Sequence, residues 1–234
     1  MTSLHTLIFY ATPEHDCSYL EDQHATTMFV DPRAHVDNQL YTQLSQLGFR
    51  RSGSHYYRPH CQNCNACIPA RVPVTDFKPN RSQKRCLNRN SECTVITRRP
   101  DYREEHYRLY ERYITIRHSD GDMFPPSREQ YESFLTSATG TTLFVEFWHG
   151  GCLMAVSVVD ELQDGLSAIY TFFDPDLEHL SPGVYSVLWA IEETQRRKKP
   201  YLYLGYWIKT CPKMSYKIKY RPIELLVKEQ WLRI

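Results

Sequence analysis

Four lysines, Lys209, Lys213, Lys217 and Lys219, fall within eleven residues and are interleaved with Tyr206, Trp207, Tyr216 and Tyr220. No Asp or Glu stands between Glu193 and Glu224. Ammonium groups beside aromatic faces suit phosphates, carboxylates and stacked bases. The competing reading is a solvated, Lys-rich edge that blocks strand pairing. A second chemical cluster is Cys61, Cys64 and Cys67, spaced C-x-x-C-x-x-C. Three thiols from one loop read as ligands for a soft metal, zinc or an iron–sulfur cluster, which takes four donors. Cys17 is the first choice for the fourth ligand and His60 the second, ahead of Cys86 and Cys93. Reduced, packed cysteines and a redox dithiol are the alternatives. A third cluster is Arg81, Lys84, Arg85 and Arg89. On a helix they share one face, and an anion relieves their repulsion.

The distribution of charge sharpens this. The 234 residues carry a net charge of only +1. Residues 1–49 hold one Arg and six acids, net −5. Residues 50–99 hold eleven Lys/Arg and two acids, and residues 194–223 hold nine and none, so each block is net +9. Two such blocks make a polyanion surface if folding brings them together. The length fits one large domain or two small ones. Nothing approaches a transmembrane run, and Glu14 and Asp16 come too early for a signal peptide. The expected location is the cytoplasm, where eight cysteines are not structural disulfides.

These groups need elements to hold them. Residues 4–10 read as a strand, and Asp37 caps a helix carrying Leu40, Tyr41, Leu44 and Leu47, with Gly48 past its end. Residues 49–58 read as a hairpin turning at Ser52-Gly53-Ser54. Residues 77–90 hold the basic helix, and residues 101–117 an amphipathic one. Ser127, with Gln130, starts another. Strands follow at 142–148 and 152–160 around Gly150-Gly151, then at 166–173. A helix over 184–197 leads to a strand at 201–207, where Gly205 marks a bulge or a close backbone approach. Residues 222–227 add a last strand. The expected class is α+β. Residues 101–234 form a catalytic domain whose element order resembles the GNAT acyltransferase fold, and residues 1–100 form a smaller cysteine-containing region packed on it. The loop before the main helix, Leu180-Ser181-Pro182-Gly183, lacks the repeated glycines that hold a pyrophosphate, so CoA is not expected as donor.

Several stretches together resemble the aminoacyl-tRNA–protein transferases, over nearly the whole chain. In the first half these are Cys17-Ser18-Tyr19-Leu20, Gly48-Phe49-Arg50-Arg51-Ser52-Gly53, Tyr57-Arg58-Pro59, the three-cysteine run and Arg71-Val72-Pro73-Val74. In the second half they are Tyr170 to Asp176, Leu180 to Ser186, Gly205 to Ile208 and Cys211 to Lys217. The arrangement is similar to the short bacterial leucyl branch. The long arginyl enzymes carry Cys-Gly-Tyr-Cys where this chain has Cys17 to Leu20.

The resemblance implies transfer of leucine from charged tRNA to proteins that begin with Asp or Glu, marking them for degradation. The reaction is aminolysis of an ester, which needs alignment, a neutral amine, oxyanion stabilisation and a route for the leaving ribose oxygen. Tyr206, Lys213, Tyr216 and Lys217 are expected near the reacting centre, with Asp174 as a proton acceptor. Arg81, Lys84, Arg85, Lys209 and Tyr170 are expected to bind substrate, with Arg81 or Arg85 on the acceptor carboxylate. Arginyl transfer by the same chemistry and a non-enzymatic, metal-bearing RNA-binding module are the alternatives.

Overall fold

The computed structural model describes residues 3–136 and 140–234. The first strands are β1 (Phe9–Ala11), β2 (His15–Asp16), β3 (His24–Ala25), β4 (Thr27–Val30), β5 (Arg50–Ser52), β6 (His55–Pro59) and β7 (Ile68–Pro73). They are followed by β8 (Thr94–Arg98), β9 (Thr142–His149), β10 (Cys152–Glu161), β11 (Gly165–Phe173), β12 (Tyr201–Trp207), β13 (Glu224–Val227) and β14 (Gln230–Arg233). The helices are α1 (Asn38–Gln46), α2 (Arg81–Arg89), α3 (Glu104–Arg117), α4 (Arg128–Tyr131), α5 (Pro182–Arg196) and α6 (Pro212–Ser215).

Local chemistry sets most boundaries. Asp37 accepts from the Leu40 amide at 2.8 Å and starts α1, while Gly48 at φ +86° follows its end. Asn80 caps α2, and Gln83 reaches back to the Asn80 amide at 2.8 Å, a reciprocal capping box. Gly150 and Gly151 at positive φ turn β9 into β10. Residues 4–10 split, because Leu4–Thr6 make one 3-10 turn before β1 begins.

The central sheet runs β14-β13-β7-β12-β11-β10-β9-β8, and a smaller one runs β1-β4-β6-β5. This is a mixed α+β architecture. The large sheet crosses the division expected at residue 100, since β7 and β8 lie within it. Both strands escape the sequence reading. Pro69 and Pro73 sit in β7, and prolines argue against an inner strand.

Alternation along the strands sends side chains to opposite faces. Val145, Phe147, Ala155, Leu166, Leu202 and Leu204 pack against α5 and Cys86 of α2. On the other face, Phe144, Val156, Val158 and Phe172 pack against Tyr110, Tyr113 and Ile114 of α3 and Tyr131 of α4. Leu162 and Tyr203 pack there against α1 and the small sheet. Arg51 of β5 is held between the two sheets. Its guanidinium meets Asp160 of β10 at 2.6 Å with both side chains fully buried, and Tyr41 and Thr142 complete the carboxylate at 2.7 Å each.

One pair in the large sheet is parallel. β11 and β12 pair from Gly165–Tyr201 to Ser167–Tyr203, and there the pairing stops although both strands run on. Each strand bulges where they part. On β11, Ile169 is the extra residue between Ala168 and Tyr170, and on β12 it is Leu204, between Tyr203 and Gly205. A bulge bends its strand and strengthens its twist, and two bulges at one level splay the strands into a cleft.

Candidate functional site

The cleft between β11 and β12 is filled from β5. Arg50 donates from Nη1 to Ser167 Oγ at 2.8 Å and from Nη2 to the Ala168 carbonyl. Its Nε lies 3.1 Å from where a Cβ on Gly205 would be. The guanidinium therefore spans from β11 to β12. Gly205 is required twice, by its φ of +81° and by the room it leaves for Arg50.

Lys217 closes the β12 side. Lys217 is 5% exposed, and its ammonium donates to the Tyr206 carbonyl and lies 3.0 Å from Met214 Sδ. Burial, and after it the Arg50 guanidinium nearby, pull the Lys217 ammonium down to about 7. A buried lysine held close to neutrality can take a proton at physiological pH. The short α6 helix and the turn after it, Tyr216–Lys219, carry Lys217 to this position.

The other expected catalytic residues take varied places. Tyr216, on the same turn, is 39% exposed as a residue. The Tyr206 hydroxyl is spent on the carbonyls of Gly48 at 2.9 Å and Tyr57 at 3.3 Å, and burial raises its proton affinity well above a normal phenol. That geometry positions β12 against β6 and α1 and leaves no hydroxyl free for proton transfer. Lys213 pairs on the surface with Asp120 at 2.9 Å and ties α6 to the loop after α3. Asp174 accepts from the Asp176 amide at 3.0 Å and from Arg112 at 2.5 Å, so it caps the turn after β11. Tyr170 belongs to an aromatic cluster, with its ring centroid 5.3 Å from Phe134. Lys209 is exposed in the turn that follows β12.

Arg81, Lys84 and Arg85 all stand exposed on α2. Gln83 of α2 donates to the Lys219 carbonyl at 3.1 Å, so the two basic blocks meet here. Much of the second block is neutralised elsewhere. Arg196 and Arg197 pair with Glu193, and Lys199 pairs with Glu161 at 3.0 Å. Arg89 donates to the His179 carbonyl.

The cysteine run opens onto a cavity of about 1030 Å³ between β2–β3, β6 and the end of β13. Cys17, Cys61, Cys64 and Cys67 line it with His60, Tyr57 and Tyr206. Burial pushes the Cys67 thiol up to about 12, with Cys17, Cys61, Cys64 and Cys211 adding to the effect. Cys211, ahead of α6, is the neighbour that the spacing did not reveal. Cys86 and Cys93 stand apart, Cys86 over the Leu180 carbonyl and Cys93 beside Tyr185. Among the described residues no three His, Cys, Asp or Glu side chains are gathered to hold a metal. The donors are soft enough for zinc or iron, but as placed they ring the cavity without converging on one point.

The comparisons with known proteins follow the same map. The family model described as arginine-tRNA-protein transferase, N terminus, matches residues 15–85, and the one for its C terminus matches residues 105–227. Among curated relatives, the aspartate/glutamate leucyltransferases of Hahella chejuensis and Pseudomonas aeruginosa are each 56% identical over 100% of both chains. That of Marinobacter nauticus is 57% identical over 99% of this chain and 98% of its own. Two solved structures align at lower similarity. One is the C-terminal domain of a putative lysylphosphatidylglycerol synthetase from Agrobacterium fabrum, with TM-score 0.47, 12% identity, and coverage of 72% of this chain and 52% of that one. The other is L-PGS from Bacillus licheniformis, with TM-score 0.49, 13% identity, and coverage of 72% and 58%. With family models spanning both halves and relatives 56% identical from end to end, the chain belongs to the aminoacyl-tRNA–protein transferases, in the company of the aspartate/glutamate leucyltransferases.

Proposed function

We propose that this protein transfers leucine from charged tRNA to the free α-amine of proteins that begin with Asp or Glu, and that the β11–β12 cleft is where the bond forms. The observation that carries the assignment of the site is Lys217, a buried amine close to neutrality at the mouth of a cleft with unpaired backbone. The order β9–β10–β11–α5–β12, with β11 and β12 splayed, also supports a GNAT-like acyltransferase reading of this half.

The neutral α-amine of the acceptor attacks the ester carbonyl at the tRNA 3′ end. The carbon–nitrogen bond forms and the carbonyl electrons move to oxygen. N–H groups of β11 beyond Ser167, where β12 has left, can stabilise that oxyanion. Lys217 takes the proton lost by the amine and returns it to the ribose oxygen as the carbon–oxygen bond breaks. The products are a new peptide bond and uncharged tRNA. Tyr216 offers its ring to the terminal nucleoside, and Arg81, Lys84 and Arg85 on α2 hold tRNA phosphates beside Lys219. Charged tRNA is the donor, with no CoA.

Zinc or an iron–sulfur cluster on Cys17, Cys61, Cys64 and Cys67 would brace the wall that carries Tyr57 and Tyr206, a structural part. Elemental analysis and anaerobic absorption spectra check this. Metal-free, fully active protein with all eight thiols titratable overturns it.

Function is tested by mixing the protein with an Asp-starting peptide and total tRNA charged with one radiolabelled amino acid at a time. Leucine moves to the peptide and arginine does not, and acetylating the peptide N-terminus abolishes transfer. Label arriving from acetyl-CoA, or from no charged tRNA, overturns the reading.

A further inference from the structure

Buried and half-buried arginines in this fold come with carboxylates. Arg51 meets Asp160, Arg71 meets Glu224, Arg98 meets Glu146, Arg103 meets Asp101, Arg112 meets Asp174 and Arg197 meets Glu161. Among the described arginines that are buried or half-buried, only Arg50 and Arg58 lack one. Arg58 has another occupation. Its guanidinium lies 5.2 Å over the Phe49 ring and donates to the Leu47 carbonyl at 3.0 Å. Arg50 has two neutral acceptors, Ser167 Oγ and the Ala168 carbonyl, and no negative charge to balance it.

A half-buried cation without a counter-charge offers a ready site for an anion. The bonds to β11 orient the planar fork in advance, and a preoriented fork loses little freedom when a carboxylate docks. Arg50 also lies within electrostatic reach of Lys217 and Tyr216. That nearness matters for an acceptor whose amine and carboxylate hang from one Cα, roughly 3–5 Å apart. A carboxylate on Arg50 brings the amine to Lys217.

We infer that Arg50, wedged in the β11–β12 cleft, is the binding site for the side-chain carboxylate of the acceptor's first residue and sets the preference for Asp and Glu. This rests on the aminolysis reading above and names the residue that reads the acceptor. The sequence pointed instead to Arg81 or Arg85. The structure places those on α2, exposed beside Lys219, where they suit phosphates.

The test uses the full chain, leucine-charged tRNA, and peptides that begin with Asp, Glu or Asn. Arg50→Gln lowers kcat/KM on the Asp peptide roughly a hundredfold and moves the Asn peptide by less than about threefold. The ratio between them therefore collapses. Arg50→Lys, which keeps the charge and loses the fork, falls between. Binding of charged tRNA stays at the wild-type level. Arg58→Gln keeps the ratio. An Asp-over-Asn ratio retained in Arg50→Gln overturns the inference. So does loss of tRNA affinity with the ratio intact, which would make Arg50 a phosphate contact, or collapse of the ratio in Arg58→Gln. If Arg50→Gln does not fold, Arg50→Lys decides: a lowered ratio supports the site and an unchanged one sinks it. Wild-type protein that moves no leucine from tRNA to any peptide would refute the function itself, an outcome distinct from transfer that ignores Arg50.

Discussion

Lys217 carries an amine and is only 5% exposed to water. Unfolded, a lysine titrates near 10.4, and here burial holds it at about 7. Between those values the unfolded chain binds more protons than the folded one. Stability from this group therefore rises with pH across roughly 7 to 10, and its cost is full below about 7. In Lys217→Met that gain disappears, and denaturant midpoints at low and high ends of the window show a flatter profile than wild type. Activity follows the same group. The kcat/KM of wild type climbs through about pH 7 as Lys217 loses its proton, and Lys217→Met loses that limb with about 10²–10⁴ in rate. A variant profile with the same limb would assign it to the acceptor's own amine. Tyr206 behaves oppositely. Its hydroxyl serves two backbone carbonyls, so Tyr206→Phe costs about 1–3 kcal/mol of stability and leaves kcat within a few-fold. A large fall in kcat in stable Tyr206→Phe would restore a catalytic role.

At the scale of elements, the decisive feature is a parallel strand pair that stops early. Gly205 enables it by adopting φ +81° and leaving its α-carbon bare beside Arg50. Gly205→Ala places a methyl about 3.1 Å from Arg50 Nε in a backbone conformation that L residues avoid. The strain costs about 1–3 kcal/mol, and the displaced guanidinium lowers activity on Asp peptides more than stability alone explains. Urea denaturation and peptide kinetics on one preparation separate the two effects. Unchanged acceptor preference would mean that Arg50 tolerates the crowding. The interleaving of lysines and aromatics points to this neighbourhood, and of the two readings of Gly205, a bulge or a close backbone approach, the bulge is there, while the group that comes close is a side chain. That side chain was not legible in advance, because Arg50 comes from a hairpin more than 150 residues earlier.

For the whole molecule, the question is how a chain of net charge +1 binds a polyanion. Many of its cations are neutralised by carboxylates, but Arg81, Lys84 and Arg85 stand exposed on α2, whose Gln83 meets the Lys219 carbonyl. Affinity for tRNA therefore falls steeply between roughly 50 and 200 mM salt. Arg85→Ala weakens it for every tRNA alike and reduces the salt slope by about one. Lys199→Ala, whose charge is held by Glu161, changes little. Filter binding across the salt range checks both. Salt-insensitive binding would move the tRNA surface elsewhere.

What the sequence determined by itself was local or periodic. Helix caps at Asp37 and Ser127, the Gly150-Gly151 hairpin, the shared face of Arg81, Lys84 and Arg85, and the motifs that mark the family all depend on neighbours within a few residues. Tertiary structure decided which of several similar groups meets which. Arg50 and Arg51 are adjacent and look alike in sequence. Alternation on β5 sends Arg51 to a buried carboxylate and Arg50 into a cleft without one, because successive side chains on a strand point to opposite faces. Pairing of charges across more than a hundred residues depends on sheet order and register, and no local pattern encodes either.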